Sequence, residues 1–357
     1  MTAHTSPADR ARAFCHRHGL RHPILLAPMA GACPPALSIA VAEAGGLGAC
    51  GALLMTPPDI VNWAATVRAG TDRPFQINLW VPDPAPVRDA AQELALCEAL
   101  AAWGPAVTPA AGDARPPDFS AQCEALLAAR APIVSSVMGL FPPAFVQRLK
   151  AAGVAWWANI STVAEALAAE AAGADVVVAQ GMEAGGHRGC FDARLAEAQQ
   201  VGLFALLPAV ADAVRIPVVA TGGIADARGV AAAFALGASA VQVGTGFLRA
   251  PEAGLPAAWA DALANTPPEG TVLTRAFSGR AGRSIATAYV QAAAAPGAPL
   301  PALYPVQRGL TAAMRQQAVA DGDVQRMQAW AGQSAALVQA RPAALTVAAL
   351  AAGVPRV

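Results

Sequence analysis

Residues 180–189 read QGMEAGGHRG and follow the apolar run Asp175-Val176-Val177-Val178-Ala179. Of five histidines, His4, His16, His18 and His22 crowd the N-terminal end, so His187 is the only imidazole in the body of the chain. A neutral imidazole accepts a proton near pH 7, and its protonated form attracts an anion. Gly185 and Gly186 allow the loop to bend sharply and carry His187 over whatever lies beside it. Arg188 adds a positive charge, although a solvated surface arginine is the simpler account. Glu183 is either a helper carboxylate or, by preference, an ordinary loop residue.

A second constellation consists of two glycine turns. Ala220-Thr221-Gly222-Gly223-Ile224 and Gln242-Val243-Gly244-Thr245 each close an apolar run. Glycines let backbone N–H groups approach phosphate oxygens, and a following helix N-terminus adds a favourable dipole. Two such turns in adjacent units point to a bound phosphate rather than to tight turns alone. Gly46-Leu47-Gly48-Ala49-Cys50-Gly51 also satisfies G-x-G-x-x-G, but it lies within a strand and not on a strand-to-helix turn, so it is no dinucleotide site. Pro28 and Met29 end the first apolar run, where a proline with small neighbours lets a flat ring lie against the backbone. Asn78 and Asn159 stand at the ends of two further runs, as caps, turn residues or ligand contacts.

These residues need a scaffold that brings strand ends together. Short apolar runs at 24–27, 47–50, 75–79, 133–136, 155–158, 175–179, 217–220 and 240–243 read as parallel strands buried on both faces. Helical segments are expected near 35–45, 57–69, 86–103, 142–152, 161–172, 201–214 and 226–236. Eight βα units across residues 20–264 match a (β/α)8 TIM barrel, with an open doubly wound sheet as the alternative. The barrel would gather its site at the C-terminal strand ends, with His187 after the sixth strand and the glycine turns after the seventh and eighth. Residues 104–118 form a Pro-rich insertion, and 265–357 read as a mainly helical subdomain over one end.

Composition excludes several classes. The chain has 357 residues, 55% of them apolar, and 24 basic against 24 acidic groups, so it buries a large core and offers no basic surface for nucleic acid. No apolar run is long enough to cross a membrane, and the N-terminal residues show no apolar leader, so a cytoplasmic protein is expected. Six cysteines without ligand-like spacing read as reduced and buried, and no metal site is expected.

Taken together, the stretches resemble the FMN-dependent nitronate monooxygenase family, formerly called 2-nitropropane dioxygenases. The matching segments are PILLAPMAG (23–31), FQINLWVP (75–82), ADVVVAQGMEAGGHRG (174–189), IPVVATGGIAD (216–226), GASAVQVGT (237–245), TRAFSGRAGRS (274–284), YPVQ (304–307) and WAGQ (330–333). The resemblance implies a (β/α)8 barrel with noncovalent FMN and a smaller helical domain. The flavin ring would lie near Pro28, Met29, Asn78, Gln180 and the Gly185–Gly186 turn, and its phosphate on Gly222, Gly223 and Gln242, Val243, Gly244 and Thr245. His187 would be the active-site histidine, binding the nitronate anion and acting as base toward a neutral nitroalkane. In family chemistry a nitronate, propionate 3-nitronate for example, passes one electron to FMN to give a semiquinone. O2 then leads to a carbonyl compound and nitrite, without metal or nicotinamide.

Two departures stand out. Asn159 occupies the position where some family members carry a lysine, and the only lysine, Lys150, lies upstream. The GRAGR segment also runs looser than the commoner GRPAR, leaving Arg280 and Arg283 without an assigned role. An FMN-dependent enoyl-ACP reductase shares the barrel, the phosphate turns and an EGMEAGGH-like loop. The extended HRG and the YPVQ and WAGQ segments favour the monooxygenase, with an NAD(P)H:quinone reductase as a further alternative.

Overall fold

The computed structural model describes residues 6–356, so His4 lies outside the described residues. Its strands, in chain order, are β1 (Ile24–Leu26), β2 (Gly48–Gly51), β3 (Phe75–Trp80), β4 (Ile133–Val137), β5 (Ala155–Ile160), β6 (Val176–Gln180), β7 (Gly186–His187), β8 (Val218–Thr221), β9 (Ala240–Val243), β10 (Thr271–Thr274) and β11 (Gly282–Ile285). All but β7, β10 and β11 form one parallel sheet, ordered β1-β9-β8-β6-β5-β4-β3-β2. Leu26 N–H donates to Leu47 O at 2.9 Å and Leu47 N–H to Ile24 O at 3.1 Å, which closes β1 onto the entry to β2. The expected (β/α)8 barrel is therefore the fold, and the open sheet is excluded.

Its strands are apolar throughout because both faces are covered. Inward-facing Leu25, Leu47, Ile133, Trp157, Val178 and Val219 pack on one another, and Phe14 from the helix Pro7–His18 joins them. The outward faces pack under the helices, whose N-termini include the side-chain caps Thr56, Thr162 and Asp226. The G-x-G-x-x-G segment is explained by packing. A Cβ on Gly48 would lie 2.8 Å from Ser38 O, and one on Gly51 would lie 2.6 Å from Ala30 N.

The insertion is more ordered than a plain loop: Pro109–Asp113 form a 3-10 turn against the short helix Val306–Leu310. A Cβ on Gly309 there would come within 2.2 Å of Ala111 O. The helix Phe119–Ala128 completes that unit and was not among the expected helices.

Residues beyond the last barrel strand are not purely helical. β10 and β11 pair antiparallel, and β11 pairs with β7, giving a three-stranded sheet above the barrel. These strands are short and rich in Thr, Gly, Arg and Ser, so no apolar run announces them. The final helix, Ala343–Ala351, returns to the barrel wall, where Ala343, Val347 and Leu350 join the main core.

Candidate active site

His187 is held by backbone, by aromatic rings and by one hydroxyl. As half of β7 it is in register with Gly282 of β11, and the next residue, Arg188, donates its N–H to Ala281 O at 2.9 Å. Gly186 adopts φ +78°, a conformation that favours glycine, and this turns the chain into β7. Trp80 from the end of β3 and Trp330 from the WAGQ segment flank the imidazole, each with ring centroids 4.8 Å away and edge-on.

The imidazole Nε2 lies 2.8 Å from Ser278 Oγ. The Ser278 hydroxyl donates to Arg280 O at 3.1 Å, and its oxygen accepts from Arg280 N–H at 3.3 Å. All three groups are satisfied when Nε2 carries the ring proton and donates it to Oγ, which leaves Nδ1 with a lone pair. Burial, then the charges of Arg280, Arg308 and Arg315, pull the imidazole pKa down to about 3. His187 is thus uncharged near pH 7, with Nε2 engaged and the Nδ1 lone pair free.

The arginines around this loop are structural stitches. Arg188 is 4% exposed, which overturns the account of it as a solvated surface residue. Its guanidinium donates to Gln180 O at 2.5 Å, Gln199 O at 3.1 Å and Ser161 O at 3.3 Å, tying the loop to β6 and the end of β5. Arg280 bonds both oxygens of Asp83, at 2.6 and 2.7 Å, and the carbonyl of Cys190. Arg283 donates to Met182 O at 2.8 Å and reaches Thr271 O and Oγ1. Glu183 is a helix cap: its carboxylate accepts from Leu203 N–H at 2.8 Å, where Gly202 has no side chain to do so.

A cavity of about 380 Å³ opens at the C-terminal strand ends. His187 and the residues expected to border a flavin line it: Pro28 and Met29 after β1, Asn78 on β3, Asn159 on β5, Gln180 with Gly185 and Gly186 after β6, Gly222 and Gly223 after β8, and Gln242 to Thr245 at the end of β9. The parts they play differ. Gln180 spends both ends of its amide on the loop, donating to His187 O at 3.0 Å and accepting from Gly189 N–H at 2.7 Å. Asn78 donates to Ser135 Oγ at 3.0 Å, Ser135 donates to Gln76 Oε1, and Gln76 donates to Gln242 Oε1 at 3.1 Å. That chain fixes Gln242 with its carbonyl end occupied and its amino end available. Asn159 Nδ2 is buried and has no partner among the described residues.

Gly222 and Gly223, at φ +114° and +69°, turn the chain after β8, and their N–H groups donate to no backbone carbonyl; neither do those of Gly244 and Thr245. Four free N–H groups at adjacent strand ends, an orphaned Asn159 amide and a cavity of this size fit a flat ring bearing a phosphate. The helix after the first turn plays no direct part, because Asp226 already caps it by accepting from Arg228 N–H at 2.9 Å and Gly229 N–H at 3.2 Å.

The far wall comes from residues that carry no chemical role in the sequence reading. Gly332 N–H donates to Thr245 Oγ1 at 3.0 Å and Gln333 N–H to Glu183 O at 3.0 Å, so the WAGQ segment closes over the glycine turns. A Cβ on Gly185 would meet Gly332 N at 2.5 Å, which explains a glycine on each side. Ser278, Trp80, Trp330 and Arg308 all lie in or beside conspicuous motifs. Only the tertiary fold brings them to His187 or to the cavity.

Comparison with known proteins agrees with this geometry. The family model for nitronate monooxygenase matches residues 13–352. A nitronate monooxygenase of Paraburkholderia phytofirmans is 40% identical over 95% of this chain and 94% of its own length, and one of Pseudomonas aeruginosa is 39% identical over 93% and 95%. A solved structure of nitroalkane oxidase from Streptomyces ansochromogenes superposes with a TM-score of 0.85 at 38% identity, covering 94% of this chain and 96% of that one. FabK from Thermotoga maritima superposes at 0.74 with 30% identity, over 95% and 94%. The chain belongs to the nitronate monooxygenase family and is an enzyme that oxidises nitronates.

Proposed function

We propose that this site converts alkyl nitronates, of the propionate 3-nitronate type, and O2 into a carbonyl compound and nitrite, with FMN as the cofactor. The observation that carries the reading is the placement of His187, its Nε2 anchored on Ser278 and its ring on the cavity wall. The free N–H groups of Gly222, Gly223, Gly244 and Thr245 would hold the flavin phosphate. Pro28, Met29, Asn78, Gly185 and Gly186 would border its ring, and Asn159 and Gln242 would offer it amide donors. When bound, the flavin supplies the electron transfer between nitronate and O2.

The chain's own residues supply the rest. A neutral nitroalkane gives up its α-proton to Nδ1 of His187, and Nε2–H stays on Ser278 throughout, so the ring keeps its orientation. A ready-made nitronate skips that step. Trp80 and Trp330 keep water from the imidazole, which strengthens the attraction between the resulting imidazolium and the anion beside it. Six free thiols, five of them buried, fit a cytoplasmic setting.

Purified protein is expected to be yellow and, given an alkyl nitronate without NAD(P)H, to consume O2 and release nitrite. Flavin reduction only by NAD(P)H, with turnover of an enoyl thioester or a quinone, would assign the barrel to the alternative reductase chemistry. His187→Asn should retain flavin and lose most activity on neutral nitroalkanes.

A further inference from the structure

The chain has seven tryptophans and two tyrosines, and both tyrosines stand with Trp80, Trp103 and Trp330 in one file of touching rings. Trp80 and Trp330 belong to the cavity wall, one on each side of His187. From Trp330 the file leaves the cavity. Phe277 follows with ring centroids 5.8 Å apart, then Tyr289 at 5.2 Å, then Trp103 at 5.5 Å. Centroids separated by about 4.5–7 Å mark aromatic rings in contact. All four rings lie in or against one apolar cluster, separate from the barrel core, and Trp103 at its far end is half-buried and reaches solvent.

Indole and phenol rings give up an electron more readily than any side chains except those with sulfur. The charges around the file favour movement of a positive hole in one direction. Arg280 lies over the Trp80 ring at 5.9 Å, and the charges of Arg280, Arg308 and Arg315 bear on His187 between the two cavity indoles, so a hole is least stable at the cavity end. At the outer end Arg326 donates to Trp103 O at 3.0 Å, but Asp321 and Asp323 neutralise it at 2.7 and 2.6 Å, and water solvates a charge there. Tyr289 does not hold the hole as a phenoxyl radical, because its hydroxyl donates at 3.0 Å to the carbonyl of Ala276, which is no base. Its ring and that of Phe277 are bridges between two indole stations.

Resting on the nitronate reading above, we propose that Trp330, Phe277, Tyr289 and Trp103 form a hole-transfer path that discharges stray nitroalkyl or peroxyl radicals from the cavity to the surface. One electron passes from Trp330 to the radical, which takes a proton from water and becomes a closed-shell nitroalkane or hydroperoxide. Trp103 refills the Trp330 radical cation. A soluble thiol then refills Trp103, releasing a proton and ending as half of a disulfide.

Trp103→Leu and Tyr289→Leu break the file outside the cavity, while Tyr289→Phe keeps the ring. During turnover of an alkyl nitronate without thiol, peptide mass mapping should find added oxygen on Trp103 in wild type and Tyr289→Phe. In both leucine variants it should appear on Trp330 and Trp80, with loss of activity after fewer turnovers from an unchanged initial rate. Trp103→Leu, at the half-buried end, carries the test if Tyr289→Leu folds poorly. A second arm omits nitronate and excites the flavin-loaded protein with blue light, which draws an electron from the cavity indoles. Transient absorption should show a long-lived indole radical, quenched by added thiol, in wild type and its loss in the leucine variants. Oxidation confined to Trp80 and Trp330 in wild type, or one radical lifetime in all the proteins, would overturn the proposal. If wild type oxidises no nitronate but gives the long-lived, thiol-quenched radical, the path stands and the nitronate reading fails.

Discussion

Ser278 and His187, 91 residues apart in sequence, meet at 2.8 Å through Oγ and Nε2. That contact decides which ring nitrogen is free to act as base. Ser278→Ala removes the acceptor for Nε2–H and lets the ring exchange tautomers. The expected result is a fall in kcat on neutral nitroalkanes of about 10–100-fold, with flavin content unchanged. Pre-formed nitronates, which need no deprotonation, should lose much less. Ser278→Thr keeps the hydroxyl and should restore most of the rate. An equal loss on both substrates, or no rescue by threonine, would show that Ser278 serves only packing.

The pair Arg280–Asp83 tests the loop's foundation. Arg280 is 1% exposed and takes both oxygens of Asp83 while also holding the Cys190 carbonyl. Asp83→Asn leaves a buried guanidinium without its counter-charge, at a cost of about 2–4 kcal/mol in unfolding free energy. Urea denaturation reads this directly, and an unchanged midpoint would mean that Arg280 is neutralised by something else.

Acid sensitivity should come partly from the other end of the barrel. His18 lies 4.6 Å from the Phe14 ring and 5.1 Å from that of Trp157, and burial lowers its pKa from 6.5 to about 4. The folded state holds this imidazole neutral while the unfolded chain protonates it. The stability it allows is therefore complete above pH 6.5 and is lost as pH falls through about 4. His187 acts in the same direction at still lower pH. His18→Phe should flatten the decline of Tm between pH 7 and pH 4 by roughly 2 °C, after discounting for solvent around a partly exposed ring. Parallel Tm curves for the two proteins would refute the assignment.

The barrel was legible because a parallel strand covered on both faces must be apolar along its length, and eight such short runs recur with helical segments between them. Observed strands fall within two residues of those expected, and their C-terminal ends carry the residues picked out for chemistry. What stayed hidden depends on partners far away in sequence. Arg188 looks like a solvated loop residue because its acceptors are carbonyl oxygens, which no side-chain pattern reveals. β10 and β11 pair with each other, and β11 with the His187 loop, without an apolar run to announce either strand. The helix start after the first glycine turn is expected to lend its dipole to a phosphate, yet the carboxylate of Asp226 fills that place. Ser278 and Arg308 were visible within or beside motifs, but one serine or arginine has no role until its neighbour is known.

The pairing of β7 with β11 also sets an order of events during synthesis. All eight barrel strands leave the ribosome before Gly282 does, so the parallel sheet and its glycine turns can assemble while the His187 loop still lacks its neighbouring strand, its serine and Trp330, and the wall helix Ala343–Ala351 docks last. Competence to bind a phosphate should therefore precede competence to move a proton, and the nascent chain would remain chemically silent until Ser278, β11 and Trp330 have docked.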